Sequence, residues 1–374
     1  MLRAAKLAVL LMIAAAVVAP SASAGVLLKP KGGGSMPLWT RSMKADATVA
    51  GQFAFAALSL TFQNESSEQM EAEFIYELPP GAVATYFAYW AGEEKVVARI
   101  VEKAQAKRIY EKIVQTWRRD PALVEMAGKN TFRARIFPVM PNADLRVEIH
   151  IVQVLRSDGG AATYSLPIHD KSALDPLDSI DVKIRVKPDP SIAKVSTNYG
   201  IPVRRDASGY EIDLCGEEYR PPKDLNVRID RKPAKMQASL YAARSGGAAG
   251  FFALALMPDH SLTDATVTIE GVKTREVTRT RFARTQAFGP ITVCGRYTSG
   301  GKAVVTLRGR SPNGYVTYRA PVTFGSAAEP DNPASKLWAA ARIQQLGTVR
   351  RNRAAVIEIS KRYGMPSKYT SWLA

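Results

Sequence analysis

The stretch from Val101 to Arg135 constrains the fold most, because a helical period changes to a strand alternation within it. Apolar residues recur at three- and four-residue spacings and predict the buried face of a helix: Ala106, Ile109, Tyr110, Ile113 and Trp117. Pro121 cannot continue this helix, since it lacks an amide hydrogen and its ring clashes with the preceding turn. From Phe132 onward the chain alternates as a half-buried strand does. We therefore expect one helix packed on a sheet, with Tyr110 and Trp117 in the core.

Short alternating or apolar segments on both sides of this stretch predict the strands of that sheet. They are Thr48 to Phe55, Ala57 to Gln63, Met70 to Leu78, Ala82 to Trp90 and Leu145 to Leu155. Residues 25–41 are rich in Gly and Pro without a sustained period, which predicts a flexible lead-in.

Four segments of this region carry a family resemblance. In chain order they read NESSEQMEAEFIYELPPGAVATYFAYW, EKAQAKRIYEKI, RDPALVEMAGKNTFRARIFPVMP and VEIHIVQVL. This order resembles the VIT domain, the module shared by vault-associated proteins and inter-alpha-trypsin inhibitor heavy chains. The resemblance covers most of Ala45 to Leu155. It implies a β-rich domain with one helix, which we assign to residues 42–157.

The second half resembles the heavy-chain-like proteins with one departure. Those proteins carry a von Willebrand factor A domain, which opens with an Asp-x-Ser-x-Ser metal motif. Here Phe251 to Pro258 is similar to the strand that leads into that domain, and Leu262 to Val267 is similar to the strand that follows it. No Asp-x-Ser-x-Ser occurs in the chain. We therefore expect the A domain to be absent near residues 258–263, so that both flanks join one β-sandwich over residues 158–325.

Apolar runs supply strand candidates for that sandwich. They are Ile180 to Val186, Tyr210 to Leu214, Asn226 to Ile229, Ala238 to Ala242, Phe251 to Met257, Thr266 to Ile269, Ile291 to Tyr297, Ala303 to Leu307 and Tyr315 to Phe324. Ser299-Gly300-Gly301 and Asn313-Gly314 lie at hairpin positions and predict a meander of the last three strands.

Residues 326–374 change character and predict a helical tail. Asn332 can cap a helix that starts with Pro333, and Gly347 interrupts that helix. A second helix from about Arg350 should stop at Gly364. The predicted fold class is therefore mainly β: a β-rich VIT domain with one helix, a β-sandwich and a short C-terminal helical tail.

Residues 1–24 have the pattern of a secretory signal peptide, with a basic start, an apolar run from Leu7 to Ala19 and the small residues Ala22-Ser23-Ala24. We expect cleavage after Ala24 and a secreted or periplasmic protein. An uncleaved anchor is the alternative, although the apolar run is short for a bilayer span. No other segment has the length of a membrane span, so we do not expect an integral membrane protein after cleavage.

Two cysteines, Cys215 and Cys294, each lie beside a Gly in strand-like sequence. In an oxidising compartment they could form a disulfide that staples the two sides of the sandwich. Two buried free thiols are the alternative.

The formal net charge is +17, and the excess is concentrated after residue 270, where eighteen Lys or Arg face four acidic residues. A field of this size favours anionic partners and weakens with salt. The candidate anion-binding residues are Arg275, Arg279, Arg281, Arg284, Arg308, Arg310, Arg350, Arg351 and Arg353. A solvated basic surface without a dedicated ligand is the alternative. Nucleic acid is not expected as a partner of an exported protein without a recognition motif.

The chain offers little for catalysis. His150, His169 and His260 have no second His or Cys at ligand spacing, and no phosphate-binding loop or nucleophile elbow occurs. The acids Asp170, Asp175, Asp178 and Asp181 lack the spacing of a calcium loop. We expect no catalytic residue, metal site or cofactor.

These observations favour a secreted or periplasmic, non-enzymatic protein-interaction module whose partner is unknown. The alternative is a protein that binds the envelope or another polyanion through the basic C-terminal half. An unrecognised hydrolase is the third hypothesis.

Overall fold

A computed structural model describes residues 26–30, 38–106, 108, 123–127, 131–169, 176–244, 249–326 and 332–373. Strands account for 62% of the structure and helices for 11%. The predicted mainly β fold class is thus confirmed. The predicted signal peptide lies outside the described residues, as does most of the predicted helix, including Tyr110 and Trp117. The start of that helix, residues 103–106, is helical, and Ala106 is buried.

The first twelve described strands are β1 (Val26–Pro30), β2 (Leu38–Ala50), β3 (Phe53–Asn64), β4 (Met70–Glu77), β5 (Ala82–Ala91), β6 (Glu94–Val97), β7 (Arg99–Glu102), β8 (Leu123–Ala127), β9 (Thr131–Val139), β10 (Ala143–Val154), β11 (Arg156–Asp158) and β12 (Ala161–Leu166). The strands that follow are β13 (Leu177–Val186), β14 (Ile192–Thr197), β15 (Arg204–Asp206), β16 (Gly209–Tyr219), β17 (Leu225–Arg231), β18 (Met236–Ala243), β19 (Gly250–Pro258), β20 (Thr263–Glu270), β21 (Thr274–Arg275), β22 (Arg281–Arg284), β23 (Ile291–Tyr297), β24 (Gly301–Ser311), β25 (Gly314–Phe324) and β26 (Thr370–Leu373). Two helices lie between β25 and β26: α1 (Pro333–Gly347) and α2 (Arg353–Tyr363).

Three sheets surround the first core. Their strand orders are β15-β16-β13-β2-β3-β10-β5-β6, β1-β4-β9-β8-β26-β7 and β11-β12-β17-β14. Alternating residues of β2, β3 and β10 point into this core, as their burial patterns show. The segment predicted as a lead-in is ordered into sheets in part, since β1 pairs with β4 and β2 begins at Leu38.

The predicted sandwich over residues 158–325 is divided in the structure. β13 pairs in parallel with β2, and the apolar residues of β12, β14, β16 and β17 join the first core. The sequence predicted strands at β13, β16 and β17 but not at β12 and β14, and a strand pattern carries no information about which strand it pairs with. Their place in the first core therefore follows from long-range pairing.

The second core is a β-sandwich made by the strands from Met236 to Phe324. Its two sheets have the orders β18-β19-β23-β21 and β22-β20-β24-β25. Phe252, Leu254 and Leu256 of β19 point into this core. The opposite face of β19 packs in a third hydrophobic cluster with α1 and with Phe53 of β3, so all nine residues of the strand are buried. The sheet of β20 and β24 therefore has the free outer face of the sandwich.

The predicted meander is wrong at its first connection. β24 and β25 form the expected hairpin, but β23 pairs with β19 in one sheet and β24 pairs with β20 in the other. Ser299 to Gly301 therefore cross between the two layers. A glycine-rich turn between two apolar runs fits a hairpin and a crossing between sheets equally well, which is why the sequence alone did not separate them.

The helical tail joins both cores. As predicted, the Asn332 side chain caps α1 by accepting from the Ala334 amide at 3.0 Å, and α2 ends at Gly364 in the left-handed conformation. β26 then inserts between β7 and β8 of the first core. Trp372 in β26 is only 2% exposed and its ring lies 5.4 Å from that of Phe132. A strand near residue 370 thus belongs to the same sheet as β1 and β4 from the first eighty residues.

Candidate anion-binding face

The outer face of the β22-β20-β24-β25 sheet carries five exposed arginines, which we call the basic face. They are Arg281, Arg284, Arg308, Arg310 and Arg319. Four of them belong to the set predicted from the sequence.

The strand register places these arginines in rows. Arg284 and Arg310 both pair with Thr263 of the strand between them. Arg281 and Arg308 flank Thr266 in the same way. Because neighbouring strands lie about 4.8 Å apart, the two backbones of each row are about 10 Å apart. Thr263 and Thr266 lie between the arginines of each row.

A β-bulge in β20 produces this arrangement. The register shifts between Thr263 and Thr266, and Asp264 within the bulge has a φ of 49°. The extra residue lets Thr263 and Thr266 both pair with outward-facing positions of β24. Gly309 faces inward between Arg308 and Arg310, where a Cβ atom would lie 3.1 Å from that of Leu262. The Arg-Gly-Arg sequence therefore presents two guanidinium groups outward and leaves room for the bulge.

None of the five arginines forms an ion pair with any described carboxylate. Ion pairs on the described residues instead link other strands. On the eight-stranded sheet, Lys44 lies 3.5 Å from Asp181, and Arg185 lies 2.8 Å from Asp46. The same chain therefore neutralises one exposed sheet face with neighbouring acids and leaves the other face positively charged.

The acidic residues of the basic sheet do not balance its charge. Its four strands contain five Arg and Lys302 against two acids, Asp264 and Glu270. The net charge of these strands is therefore +4. All eight charged side chains are exposed.

Two exposed apolar side chains lie beside the arginines. Tyr315 is 83% exposed and Val304 is 40% exposed. Tyr315 pairs with Arg310, whose guanidinium lies 5.5 Å from the centroid of the tyrosine ring. The face therefore combines cationic groups with a tyrosine beside the β24–β25 turn and a valine that pairs with Pro321 farther from that turn.

The remaining predicted arginines lie elsewhere. Arg279 borders the basic face, where its Nε donates to the carbonyl of Arg281 at 2.6 Å. Arg275 pairs with Arg296 in the other sheet of the sandwich. Arg350, Arg351 and Arg353 belong to the tail, and Arg353 lies 3.7 Å from Glu102. Of the nine candidates, five therefore lie on or beside the basic face, one lies in the other sheet of the sandwich and three lie in the tail.

Sequence reasoning missed Arg319. It lies opposite Thr306 in the β24–β25 hairpin and is exposed. The hairpin itself was predicted from Asn313-Gly314. Counting residues outward from that turn along both strands would have placed Arg319 on the same sheet as Arg308. Charge clustering along the chain did not select it, because it stands alone in its strand.

The two cysteines are both free thiols in the structure, so the disulfide that the sequence left open is not formed, and the alternative of two buried thiols holds only for Cys294. Cys215 is exposed on β16, whereas Cys294 is buried in β23. Burial raises the pKa of the Cys294 thiol to about 12. Cys294 is therefore protonated and unreactive at neutral pH.

Each histidine contacts a neighbouring group. His150 Nε2 lies 2.8 Å from Glu148, which also accepts from Lys95 at 2.8 Å. Burial alone would raise the pKa of Glu148, but the hydrogen bonds from Lys95 and His150 outweigh it and hold that pKa below its usual value. His169 lies 2.8 Å from the Pro221 carbonyl, and His260 lies 2.7 Å from Asp259.

Of the four loop acids, Asp178 and Asp181 are within the described residues. Asp178 accepts from Arg41 at 2.7 Å, and Asp181 pairs with Lys44. Asp170 and Asp175 lie outside the described residues. Asp178 and Asp181 therefore each take part in an ion pair at the surface.

A cleft of about 540 Å³ lies where the first core meets the sandwich, with Arg231, Lys235 and Phe288 among its walls. The Arg231 side chain is only 2% exposed. It donates to Asp189 at 2.9 Å, to Ser191 at 2.7 Å and to the Gly51 carbonyl at 2.9 Å. Arg231 thus ties three segments of the chain together and its terminal nitrogens are already in use.

Comparison with known proteins identifies the first part of the molecule. Residues 40–151 match the model of the Vault protein inter-alpha-trypsin (VIT) domain family. This range runs from within β2 to within β10, so this part of the chain matches a VIT domain and the predicted resemblance is confirmed for these residues. The predicted relationship to heavy-chain-like proteins and the missing A domain stay predictions.

Other comparisons add little. No curated protein matches the chain. Among solved structures, a candidate nutrient binding protein from Legionella pneumophila aligns over 56% of this chain and 72% of that chain, with 11% identity and a TM-score of 0.34. A likeness of this size carries no argument about function. Within the described residues, no helix has the length and apolar character needed to cross a bilayer.

Proposed function

We propose that this protein is a non-enzymatic binding module that acts in the periplasm or outside the cell. It binds an anionic component of the envelope, or a protein partner with an acidic surface, through the basic face of its sandwich. The observation that carries this proposal is the set of five exposed arginines without an ion-pair partner among the described carboxylates.

Electrostatics favours this use of the face. Two like charges about 10 Å apart repel by about 0.4 kcal/mol in water, and the face contains several such pairs. This repulsion slightly destabilises the folded protein. An anionic partner would remove it and gain charge-assisted hydrogen bonds in its place. Arginine suits such a partner, because its planar fork matches the geometry of phosphate and carboxylate groups.

Two further features support the proposal. The leader pattern of residues 1–24 directs the protein out of the cytoplasm. The described histidines contact neighbouring groups, and the Cys294 thiol is protonated at neutral pH, so neither supplies an evident nucleophile–base pair. An enzymatic activity that stays with the mature protein through every purification step would overturn the proposal that the protein is not an enzyme.

Retention on immobilised dextran sulfate tests the binding part. The double variant R281Q/R308Q removes two unpaired arginines from the basic face. The matched control R185Q/R204Q removes the same charge from the eight-stranded sheet, where Arg185 pairs with Asp46 and Arg204 with Glu211. We expect the basic-face variant to elute at clearly lower salt than the control. Equal elution of the two variants would contradict the proposal.

A further inference from the structure

We propose that the partner of the basic face is the surface of an anionic phospholipid bilayer. This inference rests on the proposed function and names the chemistry of its partner: phosphate groups of lipid headgroups presented in a plane. The hairpin that carries Tyr315 enters the headgroup layer when the face docks.

The shape of the face favours a planar partner. The five arginines project from one side of a four-stranded sheet, in rows about 10 Å wide. Arg308 and Arg310 are two residues apart on one strand, which places their backbones about 7 Å apart along it. Two clefts within the described residues, of about 540 and 250 Å³, have none of these arginines in their walls. An open array of this kind can meet many phosphates of a bilayer at once, whereas a single extended polymer would contact one row.

The apolar residues on the face also favour a bilayer. The described residues have five large hydrophobic side chains that are exposed, and two of them, Val304 and Tyr315, lie on this sheet. Tyrosine settles at the boundary of water and hydrocarbon, because its ring is apolar and its hydroxyl can remain hydrated. A soluble polyanion would gain nothing from these two side chains. Their position beside the arginines therefore distinguishes a lipid surface from a free polyanion.

Two acidic residues of the sheet weaken its electrostatic attraction to an anionic membrane. Asp264 and Glu270 are exposed on β20 and would repel an anionic surface. The six basic residues of the sheet outnumber them and leave a net charge of +4. Each arginine near an anionic membrane strengthens partitioning about fivefold. Loss of two arginines should therefore weaken partitioning by about 25-fold.

Co-sedimentation with lipid vesicles tests the inference. The mature full-length protein is mixed with vesicles of equimolar phosphatidylglycerol and phosphatidylcholine, and in parallel with vesicles of phosphatidylcholine alone. We expect binding to the anionic vesicles only, weakened by added salt. R281Q/R308Q should bind about 25-fold more weakly, and R185Q/R204Q should bind clearly more tightly than that basic-face variant. Circular dichroism of each variant confirms that it remains folded.

The variant Tyr315→Ala separates a bilayer from a soluble polyanion. We expect it to lose partitioning to anionic vesicles while its elution from dextran sulfate stays unchanged. A protein that is retained by dextran sulfate but does not bind anionic vesicles would overturn the bilayer inference and leave the proposed function standing. Unchanged vesicle binding by Tyr315→Ala would also overturn it. Failure to bind either probe would overturn both proposals.

Discussion

At the scale of single residues, the same side-chain type plays opposite parts depending on its surroundings. Arg231 is buried and donates to three acceptors in two other segments of the chain, so it is a structural residue. Arg308 and Arg310 are exposed and form no ion pair with a described carboxylate, so their charge is available to a partner. The sequence predicted Arg308 and Arg310 as candidates from the local density of charge and did not single out Arg231. The role of each arginine depends on neighbours that lie far away along the chain.

The two cysteines should differ in reactivity. Iodoacetamide applied to the native protein at slightly alkaline pH should label Cys215 and spare Cys294, because Cys294 is buried and its pKa is raised to about 12. Under denaturing conditions both should be labelled. Peptide mass spectrometry reads out the two sites. Recovery of a Cys215–Cys294 disulfide from the exported protein would contradict the free thiols of the structure.

Asp189 should make stability depend on pH. Burial alone would raise the pKa of Asp189, but hydrogen bonds from Ser191 and Arg231 outweigh it and hold that pKa below its usual value. A lowered folded-state pKa stabilises the protein above the unfolded value of about 3.9, and this stabilisation is lost as the pH falls through the folded pKa. Asp189→Asn should lower the free energy of unfolding by about 2 kcal/mol at pH 5, and by much less below the folded-state pKa of Asp189. Urea unfolding of both proteins across this range measures the difference, and parallel pH profiles would refute the assignment.

At the scale of elements, local signals were read correctly and long-range ones were not. The cap at Asn332 and the stop at Gly364 are set by residues within one turn of the helix end, so the sequence predicted them. β26 is different, because it pairs with β7 some 270 residues earlier and with β8. Nothing in the four residues of β26 specifies those partners. The division of strands between the two cores was missed for the same reason.

The insertion of β26 predicts that the end of the chain stabilises the VIT domain. Trp372→Ala should lower the free energy of unfolding by about 3–5 kcal/mol, since it removes a fully buried aromatic ring from the first core. Tyr315→Ala is the control, because its ring is 83% exposed and its loss should cost less than about 0.5 kcal/mol. Urea denaturation gives both values. A Trp372→Ala protein as stable as the control would mean that β26 does not hold this position.

At the scale of the whole molecule, the two cores carry different kinds of surface. The VIT-like strands, joined by β13 to β17 and by β26, enclose the first core, and the exposed eight-stranded sheet pairs several of its charges in ion pairs. The sandwich is attached to these strands through α1 and the fully buried strand β19. This attachment covers one side of the sandwich and leaves the basic face as the other. The position of that face, and not the total charge of the chain, is what makes it a binding surface.

Arginine-specific footprinting tests this claim most directly. The native protein is treated with phenylglyoxal in the presence and absence of dextran sulfate, and modification is measured at each arginine by mass spectrometry. We expect protection of Arg281, Arg284, Arg308, Arg310 and Arg319, while Arg205, which is exposed on the eight-stranded sheet, stays reactive. Protection spread evenly over all exposed arginines, or confined to Arg350 and Arg351 in the tail, would contradict it.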